Sequence, residues 1–228
     1  MIEFNKIYCS DGVKGINKIE DNSIDMILTD PPFGINHKKS EWDKKTDFKE
    51  NIIKLDEEFM RILKPGCYYV SWIPRKEMLK IGAYLDDIFL FVELLPFAGY
   101  KNIKTCFYDN IVPLIVKVKG KPKRFTPSPK TYYITNSGNT SKTSRDNPRN
   151  INHPSAKNYK TCMYFISFLT KPNDVVLDPF MGSGTTALSC IKLNRNFIGF
   201  ETNKGYCDLA ENRLKEIPKR KIESWEVF

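Results

Sequence analysis

Short apolar runs alternate with helix-like patterns along most of this chain. Apolar, often β-branched runs bounded by polar turns predict strands, whereas apolar residues spaced three and four positions apart predict helices. The predicted strands are residues 4–8, 24–28, 67–72, 89–96, 111–118, 174–177 and 196–200, and the predicted helices are residues 48–63, 75–85, 159–169, 185–193 and 204–215. Strands that alternate with helices predict a mostly parallel sheet covered on both faces, which is an α/β fold.

Two segments interrupt this alternation. Residues 34–47 are polar and charged and predict a loop. Residues 119–150 contain eight Lys or Arg residues and one acid, Asp146, so they carry +7 of the chain's net charge of +9. A solvated linker has such a composition, but here Phe125 and Tyr132 interleave with the basic residues, as in surfaces that bind nucleic acids. We therefore favour a nucleic-acid-binding segment.

Length and composition exclude several classes of protein. The 228 residues suffice for one large domain, and no run approaches the roughly 18 apolar residues of a membrane span. The N-terminus lacks a basic segment followed by an apolar one, so no secretory signal is apparent and a cytoplasmic location is expected. The six cysteines form no C-x-x-C pair and only two histidines are present, so no metal site is predicted.

The first candidate site follows the predicted strand at residues 24–28. Asp30, Pro31, Pro32 and Phe33 lie at its carboxyl end, where open α/β sheets place their ligands. Proline has no backbone donor, so the carbonyls of this segment remain free to accept hydrogen bonds. A carboxylate, free carbonyls and an aromatic face together suit a flat base that carries an exocyclic amino group.

The second candidate site follows the sixth predicted strand. Gly182, Ser183 and Gly184 form a turn into a helix, and the close backbone approach and free N–H groups of such a turn suit a nucleotide cofactor. Glu201 ends the next strand and can accept hydrogen bonds from both ribose hydroxyls. A phosphate-binding P-loop needs a lysine after the glycine, and none is present. S-adenosylmethionine fits best because Asp178 repels a pyrophosphate and attracts a cationic amino-acid end; NAD is the alternative.

These two sites resemble those of amino-group DNA methyltransferases. Residues 30–33 match the (D/N/S)-P-P-(Y/F/W) catalytic motif of that family, and residues 180–184 match its F-x-G-x-G cofactor motif. The catalytic motif comes first, as in the permuted β class, whose target-recognition segment lies between the motifs. The resemblance implies a Rossmann-like, S-adenosylmethionine-dependent methyltransferase fold, with a catalytic half in residues 1–118, a target-recognition segment in residues 119–150 and a cofactor-binding half in residues 151–228.

The resemblance also assigns candidate site residues. Residues 153–158 resemble the family's H-P-x-x-K-P sequence without its last proline, so Lys157 is expected at the cofactor carboxylate, and Asp11 is expected near the cofactor adenine. The candidate catalytic residues are Asp30, Pro31, Pro32 and Phe33. The candidate cofactor-binding residues are Asp11, Lys157, Asp178, Phe180, Gly182, Ser183, Gly184, Thr185 and Glu201. The candidate DNA-binding residues are Lys121, Lys123, Arg124, Lys130, Lys142, Arg145 and Arg149.

The activity implied by the resemblance is methyl transfer from S-adenosyl-L-methionine to the N6 amino group of adenine in double-stranded DNA, with the target base flipped out of the helix. Enzymes of this type that act on N4 of cytosine usually carry serine where this chain has Asp30, so N4-cytosine methylation is the alternative. Methylation of C5 needs a Pro-Cys nucleophile, which the chain lacks. Methylation of RNA or protein and NAD-dependent oxidation are weaker alternatives. The sequence leaves open a restriction endonuclease partner and the choice between monomer and homodimer.

Overall fold

The computed structural model describes residues 2–32, 48–94, 100–101, 108–109, 111–122, 132–134 and 157–216, so the predicted loop at 34–47 and most of the basic segment lie outside it. The strands of the described part are β1 (Lys6–Cys9), β2 (Ile24–Thr29), β3 (Leu63–Trp72), β4 (Ile88–Leu94), β5 (Tyr100–Lys101), β6 (Tyr108–Asp109), β7 (Ile111–Val118), β8 (Tyr132–Ile134), β9 (Val175–Asp178) and β10 (Asn196–Glu201). The helices are α1 (Gly12–Ile16), α2 (Phe48–Ile62), α3 (Tyr159–Leu169), α4 (Thr185–Lys192) and α5 (Lys204–Lys215). None of the helices in these ranges is long and apolar enough to cross a membrane.

One large sheet organises the described part of the chain. Its eight strands lie in the order β1-β10-β9-β2-β3-β7-β4-β8, and β5 pairs with β6 in a separate two-stranded sheet. In the large sheet, β7 is antiparallel to both of its neighbours, β3 and β4, and the other pairings are parallel. The prediction of a mostly parallel sheet is therefore confirmed.

Helices cover both faces of this sheet. Successive residues of a strand point to opposite faces. Met26 and Leu28 of β2 accordingly belong to an apolar core with α3 and α4, whereas Ile27 belongs to a second core with Ile52 and Phe59 of α2. A sheet with a separate core on each face is the layout expected of an α/β domain.

The prediction of one helix at residues 75–85 is wrong. The structure has two short 3₁₀ helices there, Arg75–Glu77 and Ile81–Ala83. Gly82 disfavours a continuous α-helix, and Leu79 is 91% exposed. The apolar spacing that predicted one helix therefore does not correspond to one buried stripe.

The order of the strands reverses between β9 and β2. After β9 the chain continues through α4 into β10, which lies on the β1 side of β9 in the sheet. After β2 it continues through α2 into β3, which lies on the β7 side of β2. Connections that leave in opposite directions open a crevice at the carboxyl ends of the two strands, where open α/β sheets bind their ligands. Thr29 Oγ1 donates to Asp178 Oδ1 at 3.0 Å across this point, so the ends of β2 and β9 are held together.

Candidate functional site

A cavity of about 360 Å³ lies at the carboxyl ends of the parallel strands. Its walls come from the segments at the ends of β1, β2, β9 and β10, which places it at the point where the strand order reverses. The residues that line it are Asp11, Gly12, Val13, Asp30, Pro32, Pro179, Phe180, Gly182, Glu201, Thr202 and Tyr206. Cavities of this size with a few convergent polar groups bind cofactors and other small molecules.

The turn between β9 and α4 forms one wall of the cavity. Gly182 and Gly184 have φ values of +54° and +80°, a left-handed conformation that glycine adopts without steric cost. The N–H of Gly182 donates to Glu201 Oε2 at 2.9 Å, and Arg213 of α5 donates to the carbonyl of Ser183. The turn is therefore fixed from both β10 and α5.

Two carboxylates, Asp11 and Glu201, line the same cavity. Asp11 caps α1 and accepts a hydrogen bond from the N–H of Lys14 at 3.2 Å. Besides its bond to the glycine turn, Glu201 accepts at Oε1 from the N–H of Asn203 at 2.8 Å. These backbone bonds orient both carboxylates, and a carboxylate oxygen has a second lone pair that can accept from a ligand hydroxyl or amino group.

A second, smaller cavity of about 40 Å³ adjoins the first, because both are lined by Asp30, Phe180 and Gly182. In this smaller cavity Lys157 Nζ lies 2.7 Å from Asp30 Oδ2 and 5.5 Å from the centre of the Trp72 ring. The structure thus brings together an anion that follows β2 and a cation that immediately precedes the cap of α3.

Asp178 also lines the smaller cavity and is only 4% exposed. Its Oδ1 accepts from Thr29 Oγ1 and from the N–H of Phe180, and its Oδ2 accepts from Thr186 Oγ1 at 2.7 Å. Burial raises the pKa of Asp178 to about 7 and the charge of Asp30 adds to the rise, while the three hydrogen bonds oppose it. This carboxyl therefore titrates near neutral pH, and a nearby cation would favour its ionised form.

Most of the candidate catalytic and cofactor-binding residues lie at these two cavities. Those that line one cavity or both are Asp11, Asp30, Pro32, Lys157, Asp178, Phe180, Gly182, Ser183, Thr185 and Glu201. Pro31 is buried, and Gly184 is the N-cap residue of α4.

The candidate aromatic and most candidate DNA-binding residues lie outside the described part of the chain, namely Phe33, Lys123, Arg124, Lys130, Lys142, Arg145 and Arg149. Lys121 is described and exposed. Lys119, two residues before Lys121, donates from Nζ to Asn22 Oδ1 at 2.8 Å. Asn22 precedes β2 by two residues and so lies at the amino end of that strand. Lys121 therefore emerges at the amino ends of the parallel strands, and the structure does not bring it to the cavities.

Three polar residues near the smaller cavity did not emerge from the sequence. Trp72 ends β3 at the same edge as Asp30, so the rule that selected Asp30 could have selected it as well. Glu93 is 3% exposed within the otherwise apolar β4, and a charge inside an apolar run was the available signal. Thr161 has no distinctive pattern and is identified only by its hydrogen bond to Glu93 Oε1 at 2.8 Å.

Comparison with known proteins points to one family. The chain matches the model of a DNA methylase family, N6_N4_Mtase, over residues 24–212. It is 29% identical to the Type II methyltransferase M.HpaI of Haemophilus parainfluenzae over 236 residues, which cover 92% of this chain and 74% of that one. The crystal structure of the M1.HpyAVI–SAM complex is 27% identical with a TM-score of 0.67, and the match covers 92% of this chain and 98% of that one. The PvuII DNA methyltransferase, described as cytosine-N4-specific, has the same fold at 19% identity, with a TM-score of 0.73 over 100% of this chain and 91% of that one.

Proposed function

This chain belongs to the N6_N4_Mtase family of DNA methylases, and from that premise we propose that it is a site-specific methyltransferase acting on the N6 amino group of adenine in double-stranded DNA. Its substrate is DNA and its cofactor is S-adenosyl-L-methionine. The observation that carries the choice of adenine is the carboxylate of Asp30 at the tip of β2, where it lines both cavities. Enzymes of this type that act on N4 of cytosine usually carry serine at that position.

The residues around the two cavities fit the chemistry of the cofactor. Asp11 and Glu201 offer carboxylate oxygens for the adenine amino group and the ribose hydroxyls, in a cavity of about 360 Å³. Asp178 suits the cationic amino end because its ionised form gains from a nearby positive charge. Lys157, in the same small cavity, suits the carboxylate end. When bound, S-adenosyl-L-methionine supplies a methyl group that its sulfonium charge activates for transfer.

Asp30 has the properties required to activate the amino group of the target base. The lone pair of an exocyclic amino nitrogen is delocalised into the ring, so this nitrogen is a weak nucleophile. If Asp30 and the carbonyl of Pro31 each accept one amino hydrogen, the nitrogen moves towards tetrahedral geometry and its lone pair becomes available for a new bond. The rate then depends on positioning and electrostatics, and no covalent intermediate on the chain is needed.

The remaining parts of the proposal concern DNA. Residues 1–118 would carry the catalytic half, residues 151–228 the cofactor-binding half, and the basic segment 119–150 would recognise the target sequence. Its +7 charge supports contacts with phosphates, since basic residues supply most of the salt-dependent affinity for DNA. Phe33 would stack on the flipped base, because bases held outside the helix are usually read by stacking as well as by hydrogen bonds.

Replacing Asp30 by alanine tests the catalytic proposal. We expect Asp30→Ala to lower methyl incorporation into DNA by at least about a hundredfold, because an acceptor that acts on the reacting nitrogen is lost, while affinity for S-adenosylhomocysteine stays within about threefold. The assay combines transfer of a tritiated methyl group with mass spectrometry of the hydrolysed nucleosides. Asp208→Ala is the control, since Asp208 is an exposed residue of α5 that pairs with Lys204 at the surface.

The nucleoside that carries the label decides the substrate. N6-methyladenine supports the proposal, whereas N4-methylcytosine would refute adenine specificity and leave DNA methylation intact. If Asp30→Ala lowers the affinity for S-adenosylhomocysteine as much as it lowers methyl incorporation, the role assigned to Asp30 is contradicted.

A further inference from the structure

Arg213 of α5 is a buried cation that is not among the residues lining the two cavities. It is 9% exposed, and among the described residues its Nε has no hydrogen-bond partner. Burial lowers the pKa of its guanidinium, while Cys162 opposes the shift. Burying a charge is costly unless other groups compensate it, and replacing such a group by a well-packed apolar residue is often neutral or stabilising. The packing of α5 alone therefore does not account for an arginine at this position.

The guanidinium of Arg213 is directed at the glycine turn, residues 182–184. It donates to the carbonyl oxygen of Ser183, and Ser183 lines the smaller cavity. Helix α5 approaches the turn at a second point, because a Cβ on Gly184 would lie 2.8 Å from Cβ of Ala210. Ala210 and Arg213 are three positions apart and so lie on the same face of the helix. This face of α5 therefore supports the turn from the side away from the cavity.

The turn depends on such a contact because glycine does not fix its own conformation. Gly184 has a φ of +80°, but glycine adopts positive and negative φ about equally readily, so the peptide between Ser183 and Gly184 can rotate. If this peptide turned over, Arg213 would lose its acceptor, and a buried charged donor without a partner is unfavourable. The hydrogen bond therefore selects one orientation of the peptide, and with it the shape of the cavity wall formed by Gly182 and Ser183.

We propose that Arg213 is a positioning residue for the cofactor: it holds the carbonyl of Ser183 and thereby keeps the glycine turn in the conformation that binds S-adenosyl-L-methionine. This inference rests on the proposed function of the two cavities as the cofactor site. It involves neither Asp30 nor the target base, so it can be tested without DNA.

Arg195 provides a matched control for Arg213. It is also buried, at 7% exposure, and its guanidinium donates to the carbonyls of Leu193 and Thr170. Arg195 directly precedes β10 and so lies at the amino end of that strand, whereas the cavities lie at the carboxyl ends. Replacing either arginine by methionine removes a buried guanidinium from backbone carbonyls, but of the two it is Arg213 that contacts the glycine turn.

Hydrogen–deuterium exchange tests the contact in the absence of cofactor. The N–H of Gly182 donates to Glu201, and the N–H of Gly184 donates to the carbonyl of Met181 at 3.1 Å. Both groups are therefore protected while the turn keeps its conformation. In Arg213→Met we expect them to exchange several-fold faster than in wild type and in Arg195→Met. Equal exchange in the three chains overturns the inference.

Calorimetry with S-adenosylhomocysteine measures the effect on cofactor binding. We expect Arg213→Met to weaken binding about tenfold, the scale known for residues that orient metal ligands from behind. Arg213→Lys should recover part of the affinity, because its ammonium can still donate to the carbonyl of Ser183. Arg195→Met should bind within about twofold of wild type even if it unfolds at a lower temperature. During methylation of DNA, the KM for S-adenosyl-L-methionine should rise in Arg213→Met while kcat stays within about twofold, because bound cofactor holds the turn in place.

The affinities of these variants decide the outcome. The inference is overturned if Arg213→Met binds S-adenosylhomocysteine within twofold of wild type, or if Arg195→Met loses as much affinity, since both residues would then be merely structural. If Arg213→Met does not fold, Arg213→Lys is compared with Arg195→Lys: a loss of about threefold in the first alone supports the inference, and equal affinities overturn it. Glu201→Ala tests the premise, because binding as tight as in wild type would refute the proposed position of the cofactor instead.

Discussion

Asp178→Asn should remove a pH dependence from the stability of this protein. The Asp178 carboxyl is 4% exposed, and burial raises its pKa from 3.8 to about 7. A carboxyl with a raised pKa binds its proton more tightly in the folded chain than in the unfolded chain. Between about pH 4 and pH 7 the folded chain therefore keeps a proton that the unfolded chain has lost, and the free energy of unfolding falls as the pH rises.

The size of the effect follows from the two pKa values. A tenfold difference in proton affinity is worth about 1.4 kcal/mol, so the rise from 3.8 to about 7 corresponds to about 4 kcal/mol over the whole range. The stabilisation by the protonated form is fully present below about pH 4 and is lost once the pH exceeds about 7. Between pH 5 and pH 8, the measurable part is roughly 3 kcal/mol.

Urea unfolding at pH 5, 6, 7 and 8 measures this difference. Asparagine preserves the acceptor for Thr29 and for the N–H of Phe180, and its amide can donate to Thr186 Oγ1 where the carboxylate accepted. Relative to wild type, Asp178→Asn should therefore become more stable by roughly 3 kcal/mol as the pH rises from 5 to 8. Asp208→Asn, at an exposed position, should show no such trend. A stability difference between Asp178→Asn and wild type that stays constant with pH would refute the reasoning.

Alanine substitutions at Gly12 and Gly184 test whether the backbone at these positions packs too closely against neighbouring segments to accept a Cβ. A Cβ on Gly12 would lie 1.9 Å from the carbonyl oxygen of Pro179, so Gly12→Ala should push α1 away, cost about 1–3 kcal/mol and weaken S-adenosylhomocysteine binding in calorimetry. Gly184 has a φ of +80° and its Cβ would lie 2.8 Å from Cβ of Ala210, so Gly184→Ala should cost at least about 2 kcal/mol in urea unfolding. Gly82→Ala is the control, because a Cβ there meets nothing within 4 Å, and a loss as large as the other two would contradict the argument from close approach.

The best-predicted helices are those in which two independent local signals agree. For α3 and α5 the apolar periodicity predicted residues 159–169 and 204–215, as observed. Both helices also begin after an asparagine whose side chain caps them: Asn158 accepts from the N–H of Lys160, and Asn203 accepts from the N–H of Tyr206. Residues 75–85 had periodicity alone and formed two 3₁₀ helices.

Much of the candidate site could be predicted because open α/β sheets bind their ligands at the carboxyl ends of parallel strands. Asp30, Asp178 and Glu201 were selected because each lies at or just after the end of a predicted parallel strand, and the structure has all three at the cavities. The pairing of Lys157 with Asp30 could not be predicted in this way, because it joins side chains 127 positions apart in the sequence. Glu93 was missed because it lies inside β4 rather than after its end, although its charge within an apolar run was a signal in the sequence.

The order of the two motifs along the chain is immaterial to the geometry of the crevice. Thr29 and Asp178 are 149 positions apart, yet their side chains are hydrogen-bonded because β2 and β9 are neighbours in the sheet. Such a crevice requires only that two parallel strands lie side by side while their connections leave in opposite directions. Each of the two strands is followed by its own helix, α2 after β2 and α4 after β9, so either strand can come first in the sequence. Formation of the crevice therefore does not require the segment that connects these two parts of the sequence. This accounts for a change to a basic, polar composition in residues 119–150 without any break in the α/β pattern on either side.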